Sequence, residues 1–187
     1  NIKLKDNSDT EVLFQYLILF GVEKTLSSLD GMFAFAYYNT KKNILWLARD
    51  KAGEKPLYYY LTNKQFFFAS EISSLTASPL INTKNINNQA LLNYIHLDYI
   101  SGNKTIIENI KKVMPGECIK YEENKIRRNF YFKVKQFPKN INNEKNSLYE
   151  LDNLLKKSVE NMLIADVPIG VFLSGGIDSS LIASMIA

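Results

Sequence analysis

The sequence predicts an α+β protein: a layered sandwich of antiparallel strands with helices outside, followed by a strand, glycine-rich loop and helix that open a second unit. Three observations carry this. Between Gly31 and Ala69 four short aromatic and aliphatic runs alternate with polar turns, the texture of antiparallel strands. Those runs are nearly continuously apolar, as in Ile44-Leu45-Trp46-Leu47-Ala48 and Phe66-Phe67-Phe68, so both faces of each sheet need cover. Finally, the polar stretch from Lys133 to Asn146 breaks the composition before an amphipathic helix and a Ser-Gly-Gly loop.

Taken in order, Ser8-Asp9-Thr10-Glu11 fits a capping box and predicts a helix that starts near Ser8 and ends at Gly21. Strands follow at Met32 to Tyr38, Ile44 to Ala48, Leu57 to Leu61 and Gln65 to Ala69. Asn88 to Ile100 reads as a helix, with Leu91, Leu92, Ile95 and Tyr99 on one side. Glu117 to Tyr121 and Lys125 to Phe132 read as a hairpin turning at Glu123-Asn124. A second capping box, Ser147 to Glu150, opens a helix whose stripe is Leu148, Leu151, Leu155, Val159 and Met162. The expected domains are 1–137, a linker at 138–147, and 148–187.

Composition narrows the chemistry. With 187 residues, 46% apolar and 22% charged, the chain can bury a core and lies outside the disordered range. One cysteine and one histidine exclude a disulfide framework and Cys/His zinc clusters, so any metal must sit on oxygen ligands. The 23 basic residues are scattered among 19 acids, which argues against a nucleic-acid partner. No apolar run approaches a membrane span and no leader pattern opens the chain, so a cytoplasmic setting is expected. Both ends read as cuts within a longer protein.

Ile169 to Leu173 suits a buried strand, and Ser174-Gly175-Gly176-Ile177-Asp178-Ser179-Ser180 follows before an apolar helix. Glycines allow close backbone approach, and free amides at a helix N-terminus together with three hydroxyls can converge on a phosphate. The Walker spacing and its lysine are missing. Asp178 would repel phosphate unless a divalent cation bridges the two, which makes Asp178 the candidate metal ligand. The plainer reading of the same residues is a Gly-Gly turn with a capped helix.

Asp166 to Ser180 resembles the pyrophosphate loop of glutamine-hydrolysing asparagine synthetases, members of the ATP-pyrophosphatase group. Upstream, Ser8-Asp9-Thr10-Glu11-Val12, Leu29-Asp30-Gly31-Met32-Phe33-Ala34-Phe35-Ala36, Ala48-Arg49-Asp50, Lys55-Pro56-Leu57-Tyr58-Tyr59 and Phe68-Ala69-Ser70-Glu71-Ile72 are similar, in that order, to the second half of their class II glutaminase domain. Val113-Met114-Pro115-Gly116 is similar to the segment leading toward their linker. The resemblance implies part of an N-terminal-nucleophile hydrolase αββα sandwich, two antiparallel sheets between helices, joined to the start of an α/β parallel-sheet synthetase domain. It implies glutamine, aspartate and ATP as substrates, magnesium as cofactor, and leaves a homodimer open.

By the same resemblance, ATP would be held by Phe172, Leu173, Ser174, Gly175, Gly176, Asp178, Ser179 and Ser180, and the ammonium of glutamine by Asp9. The alternative for Asp9 is an acid in a helix's first turn, favoured by the macrodipole by about 0.3–1 kcal/mol. Arg49 and Asp50 read as a hydrogen-bonded pair holding a strand end. Trp46 and Tyr58 to Tyr60 read as core or sheet surface, Cys118 as a packing residue, and His96 as a solvated or satisfied helix residue. No catalytic residue is expected within the chain, because the family's nucleophile is an N-terminal cysteine that would lie upstream of Asn1; this piece alone would be inactive. Rival readings are a related amidotransferase with another acceptor, as in β-lactam synthetase or polysaccharide and peptide pathways, and a non-catalytic scaffold. A tRNA-modifying pyrophosphatase would need a basic surface that is not visible.

Overall fold

Period-2 alternation on strands buried from both sides organises the first unit. The computed structural model describes residues 4–6, 8–134 and 143–187, in two compact units, Asn1–Lys135 and Gln136–Ala187. The first contains α1 (Asp9–Ser28), β1 (Ala34–Asn39), β2 (Ile44–Arg49), β3 (Tyr58–Leu61), β4 (Phe66–Ala69), α2 (Ile72–Thr76), α3 (Asn88–Leu97), β5 (Ile110–Lys112), β6 (Glu117–Glu122) and β7 (Lys125–Phe130). The strands form a four-stranded sheet, β1-β2-β6-β7, and a three-stranded sheet, β4-β3-β5, with every pairing antiparallel.

Three apolar clusters fill the spaces around these sheets. Ala48 and Cys118 turn toward α1 and meet Leu17, Val22 and Leu26. Their chain neighbours Leu47 and Ile119 turn the other way and meet Leu57, Tyr59 and Val113 between the sheets. Ile110 lies on the far face of the smaller sheet with Tyr58, Tyr60, Leu75 and Ile81. One cluster thus lies under α1, one between the sheets and one under α2. Adjacent residues serve opposite faces, which is why the strand sequences look continuously apolar.

Several expectations need correction. Gly21 does break α1, at φ 76° and ψ 170°, a region that strongly favours glycine. The helix nevertheless resumes to Ser28, because Val22, Thr25 and Leu26 fall on the buried face. The Ser8 cap forms, its hydroxyl accepting the Glu11 amide at 3.2 Å, but the reciprocal half of the box does not. The Ser8 amide donates to Asp6 at 2.8 Å, and Glu11 accepts from Gln15 instead. The sequence reading missed α2 and β5, each shorter than the windows in which periodicity is measurable. Helix α3 ends at Leu97, where Asp98 takes a left-handed conformation, and Leu92 and Ile95 of its predicted stripe are exposed.

The second unit contains α4 (Glu144–Met162) and α5 (Ile177–Ile186), which pack against one another. Helix α4 opens earlier than predicted. Asn143 is its cap, accepting the Lys145 amide at 3.0 Å, and Ser147 lies inside the helix, donating to the Asn143 carbonyl at 3.1 Å. Ile169 to Leu173 is not a strand: a strand needs a hydrogen-bonding neighbour, and the described residues of this unit contain no other extended element. Val159 is buried, whereas Leu148, Leu151 and Met162 of the same stripe are exposed. Half of the expected linker, 138–142, lies outside the described residues, as does Asn1.

Candidate functional site

Helix α1 begins at the rim of a cavity of about 710 Å³ in the first unit. Its lining includes Asp9 and Thr10 from the first turn of α1, Leu29 to Phe35 from the approach to β1 and the strand's start, Lys55 and Pro56 from the loop before β3, and Ser70 after β4. Segments spread over sixty residues meet because β1 and β3 both begin, and β4 ends, at the same end of the sandwich.

The wall holding Lys55 is built by Arg49 and Asp50, and not as the predicted mutual pair. Arg49 donates Nε to the Lys55 carbonyl at 2.7 Å, Nη1 to the Val113 carbonyl at 2.8 Å and Nη2 to the Gly53 carbonyl at 2.5 Å. Asp50, 1% exposed, accepts the amides of Ala52 at 3.1 Å, Glu54 at 2.9 Å and Lys55 at 3.0 Å. Burial pushes the Asp50 pKa up, but the amides of Lys55, Glu54 and Gly53 outweigh it and hold the carboxylate below its ordinary value. Two opposite charges at the end of β2 therefore each grip backbone, one its carbonyls and the other its amides. Neighbouring side chains in sequence need not face one another, and here they do not.

Within the cavity, Asp30 is paired with Lys51 at 3.2 Å. Asp9 makes no ion pair among the described residues; its nearest polar contact is the Thr10 hydroxyl at 3.4 Å. An exposed carboxylate at the mouth of a cavity, unneutralised by its own protein, is a receptor for a small cation such as an ammonium group. Lys55 offers the opposite charge across the same space. Asp30, Lys55 and Ser70 were quoted in the sequence motifs without a role; their signal was membership of motif blocks, which gives no geometry.

In the second unit the loop before α5 draws some of its predicted residues together. The Ser174 and Ser179 hydroxyls lie 3.0 Å apart, Ser179 donates to the Gly176 carbonyl at 3.1 Å, and the Gly176 amide points toward Ser174 at 3.5 Å. Gly175 adopts φ 80°, which favours glycine, and Gly176 caps α5 without a side-chain bond, so the helix's first amides stay available. Ser180 uses its own amide on the Gly176 carbonyl at 3.1 Å. Phe172, 98% exposed, and Leu173 stand in solvent, apart from the hydroxyl cluster. Asp178 lies in the first turn of α5, and no group of three metal-ligating side chains occurs among the described residues.

Of the remaining candidates, Cys118 is buried in β6 and burial pushes its thiol up to about 12, which leaves it protonated and inert. His96 is exposed, its Nδ1 3.0 Å from the Leu92 carbonyl. Trp46 is half-buried against the α1 cluster, as expected of core. No helix among the described residues is long and apolar enough to cross a membrane.

The fold and cavity define a class. Residues 1–132 match the glutamine amidotransferase domain family, and the chain belongs to it. Residues 150–187 match the asparagine synthase family. The chain is 38% identical over 181 residues to asparagine synthetase [glutamine-hydrolyzing] 1 of Bacillus subtilis, covering 96% of this chain and 28% of that protein. It is 32% identical over 181 residues to asparagine synthetase [glutamine-hydrolyzing] 3 of the same organism, covering 96% and 29%. Amidase chyE of Penicillium rubens is 28% identical over 187 residues, covering 96% and 26%. The chain spans roughly a third of the length of the curated relatives it matches, 28% to 36% for the first three.

Proposed function

We propose that the complete protein is a glutamine-dependent asparagine synthase, a ligase that joins glutamine hydrolysis to ATP-driven amide formation. The observation that carries this is convergence: four of the five segments that resemble a glutaminase line one cavity, and the fifth, Ala48-Arg49-Asp50, braces its wall. Asp9 would hold the ammonium of glutamine. Ammonia leaves the glutamine side chain, with glutamate as the other product. The aspartate side-chain carboxylate attacks the α-phosphorus of ATP, expelling pyrophosphate and forming an acyl-adenylate. Ammonia then displaces AMP at the acyl carbon to give asparagine.

The units we assign are 1–137 for glutamine, 138–147 as linker, and 148–187 as the start of an ATP-pyrophosphatase domain in which Ile169 to Leu173 would find neighbouring strands. Phe172 and Leu173 would lie against adenosine, while Ser174, Gly175, Gly176, Ser179 and Ser180 hold phosphate oxygens. A single carboxylate fits magnesium bound largely through substrate phosphates better than a protein-only cage, so Asp178 would hold the ion, whose charge would offset that of pyrophosphate. The lone, buried Cys118 suits a reducing cytoplasm.

A second reading keeps the chemistry and changes the acceptor. It is favoured by the similarity to amidase chyE, which is named an amidase and not an asparagine synthetase. The test is to supply the complete protein with glutamine, ATP, magnesium and aspartate and to quantify asparagine, AMP and pyrophosphate. Equimolar formation of all three supports the first reading. Glutamate release without AMP under any acceptor would overturn both.

A further inference from the structure

A second pocket lies on the outer face of the three-stranded sheet and shares no lining residue with the main cavity. It encloses about 280 Å³ between β3, β5, α2 and the end of α3. Tyr58 and Lys112 are register partners on β3 and β5, so their side chains leave the sheet on the same face. Tyr94 and Tyr99 close the pocket from the α3 side, and Lys104 stands at its edge. Both of these tyrosines are more than half exposed, at 54% and 59%, which leaves aromatic surface uncovered around a concave space.

The charged residues that line this pocket are both lysines, with the acids Glu71 and Asp98 next to the lining in sequence. Lys112 donates to the Ile100 carbonyl, and the nearby Arg49 spends its guanidinium on three carbonyls. Neither these two nor Lys104 forms an ion pair among the described residues. Carbonyl dipoles satisfy hydrogen-bond geometry without cancelling charge, so a partly buried ammonium is left without a counter-ion. Burial pulls the Lys112 pKa down and Arg49 adds to the fall, the behaviour of a cation short of an anionic partner.

We infer that this pocket is a binding site for a small ring-bearing organic anion, its carboxylate or phosphate on Lys112 and Lys104 and its ring against Tyr58, Tyr94 and Tyr99. The size supports one ring and one anionic group, since drug-sized ligands occupy pockets from about 300 Å³ upward. The lining supports it too: two lysines and three phenol-bearing residues border one space. None of its lining residues lines the main cavity, and the inference does not rest on the proposed activity.

The experiment is calorimetric titration of the complete protein with benzoate, phenyl phosphate, inorganic phosphate and benzylamine. Benzoate or phenyl phosphate should bind, benzylamine should not, and whichever aryl anion binds more tightly tells whether carboxylate or phosphate esters are the source. Lys112→Gln should weaken binding about tenfold or more. Because Lys112 is partly buried, Lys104→Gln and Tyr99→Ala at exposed positions provide the companion variants, with thermal melting to verify folding, and each should weaken binding severalfold. Failure of both aryl anions to bind, or unchanged affinity in the folded Lys104 and Tyr99 variants, overturns the assignment. So does inorganic phosphate binding as tightly as phenyl phosphate, which would remove any role for the rings.

Discussion

The carboxylate of Asp50 accepts the amide of Lys55 at 3.0 Å, bending the chain after β2 back on itself and placing Lys55 on the wall of the main cavity. With Ala52 and Glu54 also donating, Asp50→Ala should cost about 3 kcal/mol by leaving three amides without their acceptor. The folded pKa lies below the ordinary 3.8, so this stabilisation is complete above that value and is lost as the pH falls through the folded pKa. Urea unfolding at neutral pH and in acid checks both points: the gap between wild type and variant should close in acid, and a gap independent of pH would refute the charge-based account.

Gly116 and Gly21 both have positive φ, yet their alanine variants should behave differently. A Cβ on Gly116 would sit 2.6 Å from the Phe132 carbonyl oxygen, in backbone that cannot swing aside as a side chain would. A Cβ on Gly21 meets nothing within 4 Å. Gly21→Ala should therefore cost only backbone strain, about 1–3 kcal/mol, and Gly116→Ala about 4 kcal/mol or more. Comparable melting points for the two would contradict this ranking.

Tyr59 is 2% exposed between the sheets, and its hydroxyl has no hydrogen-bond partner among the described residues. Removing an unpaired buried hydroxyl relieves a desolvation cost, so Tyr59→Phe should be neutral or stabilising by up to about 1 kcal/mol. A loss of more than about 1 kcal/mol in equilibrium unfolding would mean that the hydroxyl is hydrogen-bonded, as through a buried water.

Asp9 and Asp178 belong to different units, and their variants should separate two activities. Asp9→Ala should raise the KM for glutamine at least about tenfold, the loss of one charge-assisted contact, while ammonia-dependent synthesis is preserved. Asp178→Ala should abolish pyrophosphate release and spare glutamine hydrolysis. Both positions are exposed, so circular dichroism should be unchanged. Steady-state assays with glutamine and with ammonia distinguish the two, and loss of both activities in either variant would refute the division of labour.

Much of the first unit was legible in the sequence. The strands from β1 to β4 and the β6–β7 hairpin each fall within about two residues of their predicted bounds, because apolar runs and the turn at Glu123-Asn124, both with positive φ, are local signals. Elements whose existence depends on tertiary contacts were not legible. The second half of α1 exists because Leu26 has a sheet to cover, and β5 exists because β3 offers an edge. The reverse holds for Ile169 to Leu173, where strand-like composition met no partner. At the cavity, Asp9 stood out as an acid in a first turn, but Lys55 became meaningful only through the bonds that Arg49 and Asp50 make to its backbone.

The middle of the larger sheet is the pairing of β2 with β6, in which Leu45 faces Tyr121. A ribosome must therefore extrude all of the smaller sheet before that seam can close, and until then β2 presents a bare apolar edge on one side. Holdase chaperones should engage this nascent chain during that interval, and truncations ending before Glu117 should aggregate instead of refolding.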